Sequence, residues 1–424
     1  MSTPWRDQTV KQIDHISHGN QANSNVPQIN LPPIPRPRSS LAFNAARLRG
    51  SMAIAMVLSH AGAGRAATVA ASTANILADF VDDALPADLA IVRDALMLSD
   101  VGRTLLSSLL GAAVADQYML ALGYRYRCNT RELINLGAAG DYLYDGLSSN
   151  SSQVAMAEAK GSIVSTGRKI SIVRTAKRGY ARQVAPHVWH TYRTPNNTLF
   201  IAHGYCIGCG AQVGGGSAIA HVEETTDNNF AGSGGDEPYQ LLSKGSESAT
   251  VHTAIALGCA AGIFAMLNSP RTSDALMRAA VDRQQMEVNL EEFSPIEFRG
   301  ESFMAPSATR QNLGFALWTP VFNSILNVVQ NGHSLTGEVI ELPVPGYELT
   351  GENSDGGAVL PDGLAVLPME HYLDAEVSRQ RYGAPTDRLK LFSDIVSDTG
   401  VVERNMQAQS DFDDLEGSLE ESDT

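Results

Sequence analysis

The chain has 424 residues, 43% of them hydrophobic and 6% aromatic, which is enough for two domains or for one domain with large additions. Its formal net charge of −15 argues against a surface that binds nucleic acid everywhere. Four cysteines (128, 206, 209 and 259) exclude a disulfide framework in a chain this long, and a reducing, cytoplasmic setting is the simplest expectation.

Residues 1–40 are polar, lack a signal-peptide core, and gather Pro27, Pro32, Pro33, Pro35 and Pro37. This predicts a disordered Pro-rich arm. Residues 41–102 read as a helical N-terminal region, with a break near Gly62 and Gly64 and a short helix from Asp88 to Leu98. Arg103 to Tyr124 is a long apolar-periodic helix, and Gly123 is placed as its C-cap. The period then changes. Short strands are expected over Glu132–Leu136 and Asp141–Tyr144, and an apolar strand over Gln153–Lys160 after a Ser/Asn turn. Ile170–Thr175 fits strand or helix, and Lys177–Trp189 reads as a helix that Pro186 kinks or ends. Asn197–Tyr205 is a buried strand, Gly208–Ser217 a loop, and Ala218–Glu223 another strand. Residues 228–236 form a linker. A mainly helical domain is expected over 237–400, and an acidic disordered tail over 401–424. The stretch from Ser248 to Pro270 lacks charge, but its unbroken apolar part runs only from Ala254 to Leu267, the length of a buried core helix rather than a membrane span.

Charge is unevenly placed. From Gly161 to Val222 there is no Asp or Glu, while Arg168, Lys169, Arg174, Lys177, Arg178 and Arg182 fall within it. The tail from Val401 carries eight acidic residues against Arg404, and is expected to compete with that basic stretch for its partners.

The sharpest chemistry lies just before the basic stretch. Along the Gln153–Lys160 strand, Met156, Glu158 and Lys160 share one face, and Ala155, Ala157 and Ala159 the other. A carboxylate and an ammonium therefore emerge together where an apolar strand ends. If the strand carrying Gly140-Asp141 pairs with it, Asp141 joins Glu158, and two carboxylates beside a Lys suit metal-assisted phosphodiester hydrolysis. Asp145 competes with Asp141 for the first acidic position. Asp followed by Glu-x-Lys is short and common by chance, and an exposed ion pair is its bland reading. The apolar strand behind it and the change of charge after it favour the chemical one.

Residues 103–225 resemble the PD-(D/E)xK nuclease superfamily, on Gly140-Asp141 and Glu158-Ala159-Lys160. The order of helix, acid-bearing strand hairpin, basic helix and further strands is similar as well. The resemblance implies an α/β, restriction-endonuclease-like core: a mixed central sheet flanked by helices, with additional mainly helical regions on both sides. It also implies a Mg²⁺ (or Mn²⁺) ion on Asp141 and Glu158, with Lys160 catalytic. Gln183 stands where some members carry a supporting Gln, and Asp116 where some carry a Glu in the first helix. Phosphate contacts would come from Arg168, Lys169, Arg174, Lys177, Arg178 and Arg182. DNA is the expected substrate rather than RNA, in a defence or mobile-element setting, with a homodimer or a partner protein held through the C-terminal region. The chain departs from the motif in having Gly140 where the family has Pro.

Two other readings stand beside this one. The first is a non-catalytic interaction protein that keeps a nuclease-like fold. The second is a zinc or thiol protein, because Cys206 and Cys209 form Cys-x-x-Cys, His203 and His221 could complete a ligand set, and Gly204-Tyr205-Cys206-Ile207-Gly208 has the Gly-x-nucleophile-x-Gly form. Two small buried thiols are the plain alternative. His187 and His190, which flank Trp189, fit either a nucleic-acid contact or a structural role.

Overall fold

The alternation of apolar residues over 154–164 and 198–212 makes long strands, and these form the centre of a mixed sheet. A computed structural model describes residues 5, 9–21, 40–60, 72, 76, 79–82, 87–134, 136–147, 154–164, 171–193, 198–213, 216–226, 248–282, 293–306, 314–331, 339–351 and 356–367. The first half of the chain gives β1 (Lys11–Gln21), β2 (Ser40–Phe43), α1 (Ala45–His60), a 3-10 turn (Arg93–Met97), α2 (Asp100–Ala121), β3 (Tyr126–Asn129), the single turn α3 (Thr130–Leu133), β4 (Tyr142–Asp145) and β5 (Val154–Val164). Next come α4 (Ile172–Gly179), which runs into a π-helical turn at Tyr180–Val184, then β6 (Thr191–Arg193), β7 (Thr198–Gln212) and β8 (Ile219–Thr226).

The sheet order is β2-β1-β8-β7-β5-β4-β3, with β6 paired to β7. Strands β3, β4 and β5 form an antiparallel meander, whereas β5 and β7 run parallel and are joined over the sheet by α4. The protein is thus α/β, with a mixed, curled central sheet flanked by helices.

Helix α2 begins at Ser99, whose hydroxyl accepts from the Gly102 N–H (3.3 Å), and stops at Gly123 with φ +98°. It packs on the small-residue face of β5. A Cβ on Gly161 would lie 1.7 Å from the Ser107 carbonyl oxygen, and one on Gly111 would lie 2.6 Å from the Lys160 carbonyl oxygen. No other residue permits so close a helix–strand approach.

Beyond residue 247, β9 (Ser248–His252), α5 (Thr253–Met266), α6 (Pro270–Asp282), β10 (Phe293–Phe298), β11 (Glu301–Pro306), β12 (Phe315–Trp318), α7 (Thr319–Asn331), β13 (Val339–Pro343), the turn α8 (Tyr347–Thr350), β14 (Ala358–Val359) and β15 (Leu364–Val366) follow. They add a five-stranded sheet, β10-β11-β12-β15-β14, and a β13-β9 pair. Every residue of α5 is buried, as its apolar composition requires, and no helix among the described residues is long and apolar enough to cross a membrane. The described residues all fall within one compact unit, Met1–Ala375.

Several sequence expectations need correction. The arm expected over 1–40 contains β1, which pairs with β8, and Ile13 is buried in the core. The proline cluster lies outside the described residues. The strand expected at Glu132–Leu136 is the turn α3, because Asn129 caps it by accepting from the Arg131 N–H (2.8 Å). Strand β7 continues to Gln212, through a stretch read as loop, where Gly208 admits the close-packed Ile172 of α4. The mainly helical region expected at 237–400 carries two sheets as well as helices. Arg168, Lys169, the linker at 228–236 and the tail at 401–424 lie outside the described residues.

Candidate active site

Antiparallel register places Tyr142 opposite Ala157, and one step further Asp141 comes beside Glu158. Asp141 is anchored twice. Its carbonyl accepts from the Thr130 N–H (3.0 Å), and its Oδ2 accepts from the Ala159 N–H (3.0 Å). Gly140 makes this turn possible, since a Cβ there would lie 2.8 Å from Met156 Cγ and 2.9 Å from the Ala157 carbonyl.

Glu158 is 1% exposed, and its Oε1 forms an ion pair with Lys160 Nζ. Its Oε2 is buried and meets no hydrogen-bond partner among the described residues. Burial raises the Glu158 carboxyl to about 8, with repulsion from Asp141 as the next cause; the Lys160 ammonium pulls the other way and loses. Lys160, whose side chain is 29% exposed, is pushed above the usual lysine range by Glu158 despite partial burial. The site is therefore a half-open pair of carboxylates with an ammonium at its mouth.

Helix α4 closes one side. Its Gly179 lies over Cys206, Lys160 and Glu158, and Cys206 is the register partner of Glu158 on β7. Arg174, Lys177, Arg178 and Arg182 are exposed on the helix and the π-helical turn that follows it. Gln183 is half-buried in that turn and makes no side-chain hydrogen bond to Asp141, Glu158 or Lys160 among the described residues.

The other candidates are assigned elsewhere. Asp145 does not belong to the site, because its Oδ2 accepts from the His252 N–H and meets His252 Nδ1 (both 2.7 Å), while Oδ1 accepts from the Gly146 N–H (2.7 Å). Asp116 is likewise structural. It is buried against Arg127 Nε (2.9 Å) and accepts from the hydroxyls of Ser51 and of Tyr144 (3.0 Å). The zinc reading fails on geometry: Cys206 and Cys209 are three apart on one strand, so they point to opposite faces of β7. All four cysteines are free and buried, and burial pushes the Cys206 thiol far up, which disfavours a nucleophilic thiolate. His221 Nε2 pairs with Glu223 Oε1 (2.6 Å). His187 bridges the Ala138 carbonyl and the Tyr192 hydroxyl (both 2.6 Å), a structural role.

Among the described residues no group of three or more His, Cys, Asp or Glu gathers to hold a metal. The Asp141–Glu158 pair offers two carboxylates, one with an orphaned buried oxygen, and this suits an ion such as Mg²⁺ that keeps several waters and takes one or two carboxylates. The sequence reading missed Gly179 and Gly161. The signal for the first was present: a Gly inside a basic helix costs about 1 kcal/mol against Ala and asks for a packing reason.

No protein-family model matches the chain. No curated protein and no solved structure matches it significantly.

Proposed function

We propose that this protein is a Mg²⁺- or Mn²⁺-dependent nuclease that hydrolyses DNA at Asp141, Glu158 and Lys160. The observation that carries the reading is the seating of Asp141 beside a buried Glu158 whose second oxygen meets no donor among the described residues. The order α2, the β3–β4–β5 meander, α4 and then β7 parallel to β5 supports it, because it is the order that the PD-(D/E)xK resemblance implies. The basic outer side of α4 supports it too.

Asp141 and Glu158 would hold the cation, which when bound polarises the scissile phosphate and lowers the pKa of a bound water. Lys160 carries the one ammonium at the mouth, placed to donate to a phosphate oxygen as negative charge develops or to orient the attacking water. Arg174, Lys177, Arg178 and Arg182 would hold the backbone by phosphate contacts that carry no sequence information. Gln183 would come into play only by turning from its present half-buried position.

The test is nicking of supercoiled plasmid by purified protein in Mg²⁺ or Mn²⁺. Asp141→Ala and Lys160→Ala should each lower the rate by about 10²-fold or more while circular dichroism stays unchanged. Cleavage that persists in both variants rejects the site. A folded protein that binds DNA but never cuts it supports the non-catalytic alternative.

A further inference from the structure

We infer that Gly179 is a positioning residue of this site, whose missing side chain sets how Glu158 and Lys160 meet. The inference rests on the hydrolytic reading above. Three alternate residues of β7 lie beneath α4 and its π-helical extension. Two of them are glycines that receive side chains from above: a Cβ on Gly204 would lie 2.5 Å from methyls of Val184 and Val188, and one on Gly208 would lie 2.7 Å from Ile172 Cγ1. At Cys206, between them, the relation is reversed, and the strand's thiol rises into a space left by the helix at Gly179. A Cβ on Gly179 would lie 2.8 Å from Cys206 Sγ, 3.2 Å from Lys160 Cε and 3.6 Å from Glu158 Cγ.

The contact has little freedom to relax. Helix and strand are pinned on both sides by the Val184–Gly204 and Ile172–Gly208 contacts, and the thiol is fully buried. Ordinary carbon contacts lie at about 3.5–4.0 Å, so an added methyl displaces the Cys206 thiol by the better part of an ångström and Lys160 Cε by a few tenths, while Glu158 Cγ stays in ordinary contact. Cys206 is the register partner of Glu158 and lies beside Lys160, so the displaced thiol and the crowded Lys160 pass the strain to the site. A misplacement of this size can cost about 10²-fold in rate, because the reacting groups must stay aligned.

A double-mutant cycle tests this with plasmid nicking, Mn²⁺ binding by calorimetry and urea denaturation as readouts. Gly179→Ala should lower kcat by about 10²-fold while the KM for DNA changes little, since the basic outer side of α4 is untouched. In a Cys206→Ala background, where the thiol is gone, the same substitution should cost at most a few-fold. Full activity of Gly179→Ala overturns the inference alone, with the nuclease reading intact. So does a loss that is equally large in both backgrounds. If Gly179→Ala does not fold, a double variant that folds and cleaves like Cys206→Ala supports the inference, and one that folds but is inactive overturns it. A wild-type protein that neither cleaves DNA nor binds Mn²⁺ rejects the nuclease reading, and this inference falls with it.

Discussion

Replacing Glu158 with Gln should stabilise the metal-free fold and, on the proposed reading, abolish DNA cleavage. In the unfolded chain a Glu titrates near 4.5, and in the fold burial and Asp141 hold Glu158 to about 8. The folded state therefore keeps a proton that the unfolded state has lost. Stability is intact below pH 4.5 and drains away as pH rises toward 8. At about 1.4 kcal/mol for each pKa unit, the loss is about 3 kcal/mol at pH 7 and nearly 5 kcal/mol above pH 8. Gln mimics the protonated carboxyl and cannot ionise, so the variant avoids the loss while keeping the shape. Urea denaturation in chelator should show the variant about 3 kcal/mol more stable at pH 7 and equal to wild type at pH 4. Adding Mn²⁺ should then stabilise wild type and leave the variant unmoved. A variant less stable than wild type at pH 7, or a difference that does not change with pH, refutes the argument that this carboxylate is held against its own desolvation.

His203 should show the opposite trend, because burial lowers its imidazole to about 4. The unfolded chain takes up a proton below pH 6.5 that the fold refuses, so stability falls as pH drops from 6.5 to 4, by about 3 kcal/mol in total. The difference between His203→Leu and wild type across that window, measured in urea, should trace this loss; a flat difference rejects it. Arg127 sits between Asp116 and Asp362 (2.9 and 2.8 Å), all three buried. Asp362→Ala should cost about 3–5 kcal/mol by stranding that guanidinium, whereas replacing all three with apolar residues of similar volume should cost less. Equal losses would show that packing, rather than the orphaned charge, decides. On DNA, neutralising Arg174, Lys177 or Arg182 should each flatten the slope of log affinity against log salt by about 1, uniformly across sequences. An unchanged slope removes that residue from the interface.

Much of the site was legible because it depends on local pattern. Period-2 alternation put Glu158 and Lys160 on one face and the alanines on the other, and antiparallel register did bring Asp141 beside Glu158. What could not be read depends on partners distant in sequence. Whether Asp141 or Asp145 serves the site turns on His252, more than a hundred residues away. Asp116 is occupied by Arg127, Ser51 and Tyr144, and none of these pairings follows from spacing. Strand β1 was hidden because its alternation is written in polar residues (Asp14, Ser17, His18 and Asn20), and only β8 beside it makes that pattern a strand. Gly208 of β7 reads as loop for the same reason: what fills it comes from α4, not from its own neighbours.

This packing bears on whether Glu-x-Lys is here by accident. An exposed ion pair of no consequence needs only a strand and solvent. Here the Lys160–Gly161 peptide is pressed on one side by α2, where Gly111 and Gly161 leave no room for a methyl, and the side chains of Glu158 and Lys160 are met from the other side by Gly179. Each of these glycines weakens the element it interrupts, by about 0.5–1 kcal/mol relative to Ala. The result is a backbone that cannot shift at the point where a buried carboxylate faces another carboxylate, an arrangement that itself destabilises the fold. The glycines admit close packing, but the burial of a carboxylate beside another has no account in stability. On the proposed nuclease reading, this arrangement holds charged groups in fixed positions before a ligand arrives.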